Sequence, residues 1–218
     1  MWVAKIIIPF NKNTLIGSRT KKYKVNVKGY PLSHFSKNNK IYMLASVYIT
    51  GIDKAINNFL KDLKKDKRML KMDMADENFG FWLMEQPFEV KAFYDPLIIY
   101  VKPIIIAENG AYIFEIASWN RSKLRDVAET IQQNEYHGKL ISIKDEKVKT
   151  VQIMTAFPRL TKQQKRALEL AITEGYYSYP RKIDIIALAK IMKVSHSTFQ
   201  FHLRNAEKKV LPYLYSRV

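Results

Sequence analysis

The chain has 218 residues, enough for one large domain or two small ones with a buried core. Its apolar fraction of 47% and charged fraction of 26% are close to the globular average and exclude a disordered or fibrous protein. The absence of cysteine excludes disulfide frameworks, thiolate zinc sites, iron–sulfur clusters and cysteine nucleophiles. Because Lys5 interrupts the first apolar run and no cleavage site follows, we expect a strand there and not a signal peptide. The longest apolar stretch, residues 97–107, is too short to span a bilayer, so we expect a cytoplasmic protein.

Positive charge is the first clue to function. The formal net charge is +17, and the residues from Val151 onward include twelve basic and four acidic side chains. Such an excess favours a polyanionic partner, nucleic acid before an anionic membrane surface. The alternative is general basicity without a specific partner.

Residues 1–87 predict a first α+β subdomain. Residues 3–10 and 41–50 are apolar runs typical of strands, and we expect the polar, lysine-rich residues 11–40 between them to form a loop. A helix follows, and residues 70–84 return as one or two strands. The apolar face of that helix consists of Ile52, Ile56, Phe59, Leu60 and Leu63.

Residues 88–155 predict a second α+β subdomain with the same order. Residues 98–106 and 111–118 read as strands around a hairpin turn at Glu108-Asn109-Gly110. Asn120 is placed to cap a helix whose apolar face is Leu124, Val127, Ala128 and Ile131, and residues 140–143 form another strand. A helix between two strands requires them to be parallel. The prediction for residues 1–155 is therefore a tandem ferredoxin-like or ACT-like α+β region.

Residues 156–218 predict an all-α domain. Thr161 and Gln164 fit a capping box, and Leu168, Ala171 and Ile172 give the first helix a buried face. A second helix, capped by Asp184, has its apolar face at Ile185, Leu188, Ala189 and Met192. After a tight turn, Ser195 caps a third helix with its apolar stripe at Phe199, Leu203, Ala206 and Val210.

Two short helices joined by a tight turn and braced by a third predict a helix-turn-helix. The side chains of the last helix that point away from its apolar stripe begin with short polar groups suited to base edges and end with cations suited to phosphate. An amphipathic helix with a solvated polar face is the alternative. The predicted DNA-binding residues are His196, Ser197, Thr198, Gln200, Phe201, Arg204 and Lys208.

The C-terminal quarter of the sequence contains a characteristic series of residues: Leu160-Thr161, Gln164, Ala167-Leu168, Ala171, Gly175-Tyr176-Tyr177, Pro180-Arg181, Leu188-Ala189, Val194-Ser195, Ser197-Thr198-Phe199 and residues 202–209. This series resembles the archaeal bacterio-opsin-activator type (HTH-10) of helix-turn-helix. The resemblance implies a transcription regulator that binds double-stranded DNA. More weakly, residues 41–84 are similar to the N-terminal sensor region of those proteins. The chain departs from the family pattern at Lys193, where glycine is usual, at Ala187, and at Phe201.

ACT-like folds, which the N-terminal region resembles, bind small ligands where a strand runs into a helix. The corresponding junctions predict a small-molecule effector site at Gly51, Asp53, Trp119 and Asn120. The alternative is that Gly51 is only a turn residue and Asn120 only a helix cap.

The common signatures of nucleotide-binding proteins, zinc proteases and serine hydrolases do not occur, so we predict no enzyme, cofactor or metal site. One helix-turn-helix reads few base pairs, so we expect a homodimer. Two other functions remain open. One is a metabolite-binding or scaffolding protein whose basic helices dock an acidic partner, and the other is a chromatin-type protein that coats DNA without reading it.

Overall fold

The computed structural model describes residues 1–133, 136–148, 151, 158 and 160–215. The chain divides into two compact units, Met1–Met154 and Thr155–Val218. The first contains a sheet with helices and the second is helical, so the predicted α+β class is confirmed. Within the described ranges, no helix is both long enough and apolar enough to cross a membrane.

A single nine-stranded sheet forms the framework of the first unit. Its described strand pairs are antiparallel, in the order β4-β5-β3-β2-β7-β8-β1-β9, and β6 pairs with β8 beside this path. The strands are β1 (Trp2–Ile8), β2 (Asn26–Lys37), β3 (Lys40–Thr50), β4 (Met69–Met74), β5 (Phe79–Pro87), β6 (Ile99–Tyr100), β7 (Ile104–Ile106), β8 (Tyr112–Ser118) and β9 (Lys139–Asp145).

The sheet consists of two halves with matching topology. Helix α2 (Asp53–Leu63) joins β3 to β4, and both strands lie antiparallel to β5 between them. Helix α3 (Arg121–Gln133) joins β8 to β9 around β1 in the same way. Each crossover therefore links parallel strands, as predicted, and each half contains a split β-α-β unit.

The N-terminal strand lies in the second half of the sheet, not in the first. β1 pairs along its length with β8 on one side and β9 on the other. The expected boundary between residues 87 and 88 therefore does not separate two compact units. The reason is that β1, from residues 1–87, lies between β8 and β9, which come from residues 88–155. Sequence order alone does not reveal such a pairing.

The segment expected to be a loop, residues 11–40, is mostly ordered secondary structure. It contains helix α1 (Gly17–Tyr23) and strand β2. The apolar alternation of β2 is weak because Gly29 and Pro31 occupy two of its inward positions, and the register shifts between Pro31 and Ser33. A bulge is where a strand tolerates proline.

Helices α2 and α3 pack on the same face of the sheet. Phe59 and Leu63 of α2 and Leu124 of α3 are fully buried in one core cluster with Trp82. Asn120 caps α3, since its side-chain oxygen accepts from the Ser122 N–H at 2.9 Å. Ile52 does not join the predicted apolar face of α2. It precedes the first turn and is 78% exposed.

Helix α1 is tied to α2 through carboxylates. Asp62 accepts from Lys22 Nζ and from the Tyr23 hydroxyl, both at 2.7 Å, and pairs with Arg19 at 3.2 Å. Asp66 pairs with Arg19 at 3.0 Å and with Arg68 at 2.9 Å. The hydrogen bonds that Asp62 accepts, first from Lys22 and then from Tyr23 and Arg19, lower the pKa of its carboxyl to about 2.

The second unit contains helices α4 (Lys162–Thr173), α5 (Ile185–Met192) and α6 (His196–Tyr215). The Thr161–Gln164 capping box and the Asp184 cap form as predicted. Ala171, Leu188 and Met192 are buried with the stripe of α6. Ile172, expected to be buried, is 60% exposed, because the face of α4 that packs inward is centred on Ala167 and Ala171.

Lys193 closes α5 in a left-handed conformation. Its φ is 58° and its ψ is 45°, and the following Val194 N–H donates back to the Ala189 carbonyl at 3.0 Å. This is the backbone that favours glycine, because a Cβ crowds the next carbonyl there.

We therefore expect Lys193→Gly to stabilise the helical unit by about 0.5–1 kcal/mol. The matched control is Lys190→Gly, an exposed position inside α5, which should destabilise by about 1 kcal/mol. Urea unfolding of the full chain, followed by helical circular dichroism, measures both changes. Equal destabilisation by the two substitutions would contradict the left-handed turn.

Asp62 should make stability depend on pH below about 4. Because its pKa is lower in the folded chain, the charged carboxylate stabilises the fold above the unfolded value of 3.8, and this contribution disappears as pH falls towards 2. We expect Asp62→Asn to be less stable than the wild type at neutral pH and the difference to shrink between pH 4 and 2. Unfolding midpoints of both proteins across this range test it, and a constant difference would disprove it.

Candidate nucleic-acid interface

The second unit assembles a helix-turn-helix around α6. Only the three residues Lys193, Val194 and Ser195 separate α5 from α6. Phe199 and Leu203 of α6 are buried against Leu188 and Met192 of α5 and Ala171 of α4. A short turn and a shared core fix the angle at which α6 leaves α5, with α4 as the brace.

One face of α6 is buried and the opposite face is open. Phe199, Leu203, Ala206 and Val210 form the buried stripe, as predicted. The outward stripe, as we call the exposed line of residues at helical spacing i, i+4, i+7 and i+11, lies opposite. Its members are Ser197, Phe201, Arg204 and Lys208.

Of the other predicted contact residues, His196 and Thr198 are exposed in the first turn of α6, whereas Gln200 is half-buried beside the stripe. Phe201 is 64% exposed, an unusual position for a phenylalanine that only packs. The helix thus presents hydroxyls first, an aromatic ring next and cations last. The structure adds that all of these side chains except Gln200 are exposed.

The first turn of α6 is held by a cluster of hydroxyls. Ser195 Oγ accepts from the Thr198 N–H at 3.1 Å and so caps the helix, as predicted. The same oxygen lies 3.0 Å from Ser197 Oγ and 2.7 Å from Thr198 Oγ1. The hydroxyls expected to face bases are therefore also part of the cap.

Arg204 is tethered by an acidic residue of its own helix. Its Nη1 lies 3.3 Å from Glu207 Oε2, and the side chain is 72% exposed. Glu207 also accepts from the Tyr177 hydroxyl at 2.5 Å. Burial, and then this hydrogen bond, raise the pKa of Tyr177, so the phenol stays a donor at neutral pH.

A second tether, missed by the sequence reasoning, joins α6 to the start of α4. Lys209 Nζ donates to Gln164 Oε1 at 3.0 Å, the same oxygen that completes the capping box. The spacing of Thr161 and Gln164 predicted the cap, but nothing local indicates its partner 45 residues later. Lys209 is thus a structural cation, whereas Lys208 lies on the outward stripe.

The structure does not bring the four predicted effector residues together. Gly51 and Asp53 follow β3, whereas Trp119 and Asn120 follow β8, which runs opposite to β3 in the sheet. All four are exposed. A Cβ on Gly51 would lie 2.9 Å from Val25 Cγ1, so close packing accounts for this glycine, and capping of α3 accounts for Asn120.

We expect Ser195→Ala to destabilise α6 by about 1 kcal/mol, because the Thr198 N–H loses its acceptor. The control Ser197→Ala removes a hydroxyl that bonds only to Ser195 among the described residues and should cost at most about 0.5 kcal/mol. Hydrogen exchange of the α6 amides in the full chain reports both changes. If the α6 amides were equally protected from exchange in the two variants, Ser195 would not be the residue that caps the helix.

Comparison with known proteins agrees with this geometry. Residues 160–212 match a family model described as an HTH DNA binding domain, of the bacterio-opsin-activator type. The match covers about a quarter of the chain and contains α4, α5 and most of α6. Searches of curated proteins and of solved structures gave no match. Residues 160–212 are thus similar to the helix-turn-helix DNA-binding domains of the bacterio-opsin-activator type.

Proposed function

We propose that the protein is a sequence-specific transcription regulator that places α6 in the major groove of double-stranded DNA. The observation that carries the proposal is the outward stripe, which is exposed along α6 opposite a fully packed face. A major groove admits one helix, and the N-terminal half of a recognition helix meets the base edges. Ser197 and Phe201 lie there, and Lys208 lies further along, where phosphates are met.

Arg204 can leave Glu207 at small cost. Arg204 is 72% exposed, and Glu207, which is 15% exposed, keeps its hydrogen bond from Tyr177 when the arginine leaves. A helix ion pair at this spacing contributes less than about 1 kcal/mol, whereas a bidentate contact between arginine and guanine discriminates by about 1–3 kcal/mol. The tether therefore holds the guanidinium near its working position without competing strongly with DNA. Gln200 is half-buried and lies beside the outward stripe, not on it. In this proposal it contacts a base at the edge of the interface and not at its centre.

We further propose that two chains bind together, since one helix-turn-helix contacts only one half-site. The first unit then serves dimerisation, effector sensing or both. Effector contacts could come from either of two separate strand-to-helix junctions. One contains Gly51 and Asp53, and the other contains Trp119 and Asn120. A scaffold with an acidic partner and a non-specific DNA-coating protein are the outcomes that would replace this proposal.

Selection of bound sites from random duplex, with the full chain, tests the proposal. We expect an inverted-repeat motif. Arg204→Ala and Gln200→Ala should weaken the selected site by about 1–3 kcal/mol and random duplex much less, because base contacts are lost. Binding without a motif would support the coating protein, and no binding would support the scaffold.

Lys208→Ala should instead weaken all duplexes equally and lower the slope of log affinity against log salt by about one, because one phosphate contact is lost. Lys61→Ala, an exposed lysine of α2, serves as the matched control and should leave both values unchanged. A wild-type salt slope in Lys208→Ala would place this lysine outside the interface.

A further inference from the structure

A cavity of about 400 Å³ lies inside the first unit, on the face of the sheet that carries the helices. Its floor is made of inward residues from the central strands, including Gly29, Ala45, Ile104 and Phe114. The 3₁₀ helix Phe88–Tyr94 and the residues before α1 contribute the remaining walls. The volume falls within the range of about 300–1,000 Å³ that is usual for ligand sites.

No residue of α2 or α3 that the structure describes lines this cavity. The two helices cover the outer strands. On the central strands between them, Gly29 has no side chain and Ala45 has a small one, so these positions leave space above the sheet. Interiors are normally packed without such space, and an empty void forfeits contacts. A hydrophobic occupant would restore those contacts.

Most of the wall is aliphatic or aromatic, and four tyrosines supply a large part of its polar groups. Tyr100 donates to the Phe93 carbonyl at 3.0 Å, and the Tyr94 hydroxyl contacts Met43 Sδ at 2.9 Å. Phenols are uncharged at neutral pH, and burial raises the pKa of Tyr94 and Tyr100 further above their ordinary value. They make the wall amphipathic without making it anionic.

Arg68 is the one lysine or arginine among the described residues that line the cavity, and its side chain is 38% exposed. Its guanidinium gives two hydrogen bonds to Asp66 and one, at 2.7 Å, to the Asn13 carbonyl. A guanidinium has five N–H donors, so two make no hydrogen bond to a described residue. Asn13 and Thr14 line the cavity beside it, together with Tyr112.

The charges around Arg68 leave one positive charge over. Arg19, Lys22 and Arg68 share the two carboxylates Asp62 and Asp66. Glu85, which also lines the cavity, pairs with Lys40 at 2.9 Å, and its charge also raises the pKa of Arg68. With this pair included, four cations share three carboxylates, and the excess of one positive charge remains. A ligand with one negative charge would complete the balance.

We propose that this cavity binds a hydrophobic small molecule with one carboxylate, which Arg68 recognises. The aliphatic and aromatic wall holds the body of the ligand, and the two unused guanidinium donors face its carboxylate. This assignment goes beyond the proposed function and does not depend on it. The binding measurement contains no DNA, so the two proposals fail independently.

Isothermal titration of the full chain with decanoate, para-butylbenzoate and decanol tests the proposal. We expect one molecule of either carboxylate per chain and at least about tenfold weaker binding of decanol, which lacks the charge. Failure of both carboxylates to bind at millimolar concentration would overturn the proposal. Equal binding of decanol and decanoate would overturn the role of Arg68.

Gly29→Leu locates the binding site. A Cβ at Gly29 meets Val47 Cγ1 only at 3.6 Å, so leucine fits at its base and fills the cavity. We expect an unchanged or higher thermal midpoint and at least about tenfold weaker carboxylate binding. Lys28→Leu adds the same side chain on the opposite face of β2 and should bind like the wild type. Wild-type affinity in Gly29→Leu would place the ligand elsewhere.

Arg68→Gln tests the charge. It should remove the preference for decanoate over decanol, whereas Arg125→Gln, which removes an exposed cation of α3, should keep it. Thermal midpoints of both variants verify that they are folded. A preserved preference in folded Arg68→Gln would show that Arg68 does not recognise the carboxylate.

Discussion

The first unit depends on a short strand pairing at the centre of its sheet. β2 and β7 meet over only three residue pairs, Val27 with Ile106, Lys28 with Ile105 and Gly29 with Ile104. This seam, as we call the pairing, joins the two half-sheets into one. Each half brings its own crossover helix, and the helices lie over the outer strands. The cavity lies over the seam because neither α2 nor α3 covers it.

Local features of the fold could be predicted from the sequence, whereas its long-range pairings could not. The caps at Thr161, Asp184 and Ser195 depend on residues three positions apart, and all three form. The position of β1 depends on partners more than one hundred residues away, and no periodicity records that. β2 was missed since its inward positions hold Gly29 and Pro31 instead of large apolar residues.

The candidate sites follow the same division. The outward stripe could be predicted because the buried and exposed faces of α6 alternate with the helical period. The bonds from Tyr177 to Glu207 and from Lys209 to Gln164 could not, since the partners lie on different elements. The cavity draws its lining from most strands of the sheet, so no single segment carries its signature. Gly29, near the start of β2, is the one local sign.

Making the seam within one chain has a consequence for assembly. Two separate chains that paired through such a strand would form the cavity only at concentrations above their dissociation constant. Here the pairing is intramolecular, so the sheet is complete at any dilution. Its two halves are also free to differ in sequence. Arg68 comes from the first half and Tyr112 from the second, so one asymmetric pocket replaces the two equivalent ones that exact symmetry would impose.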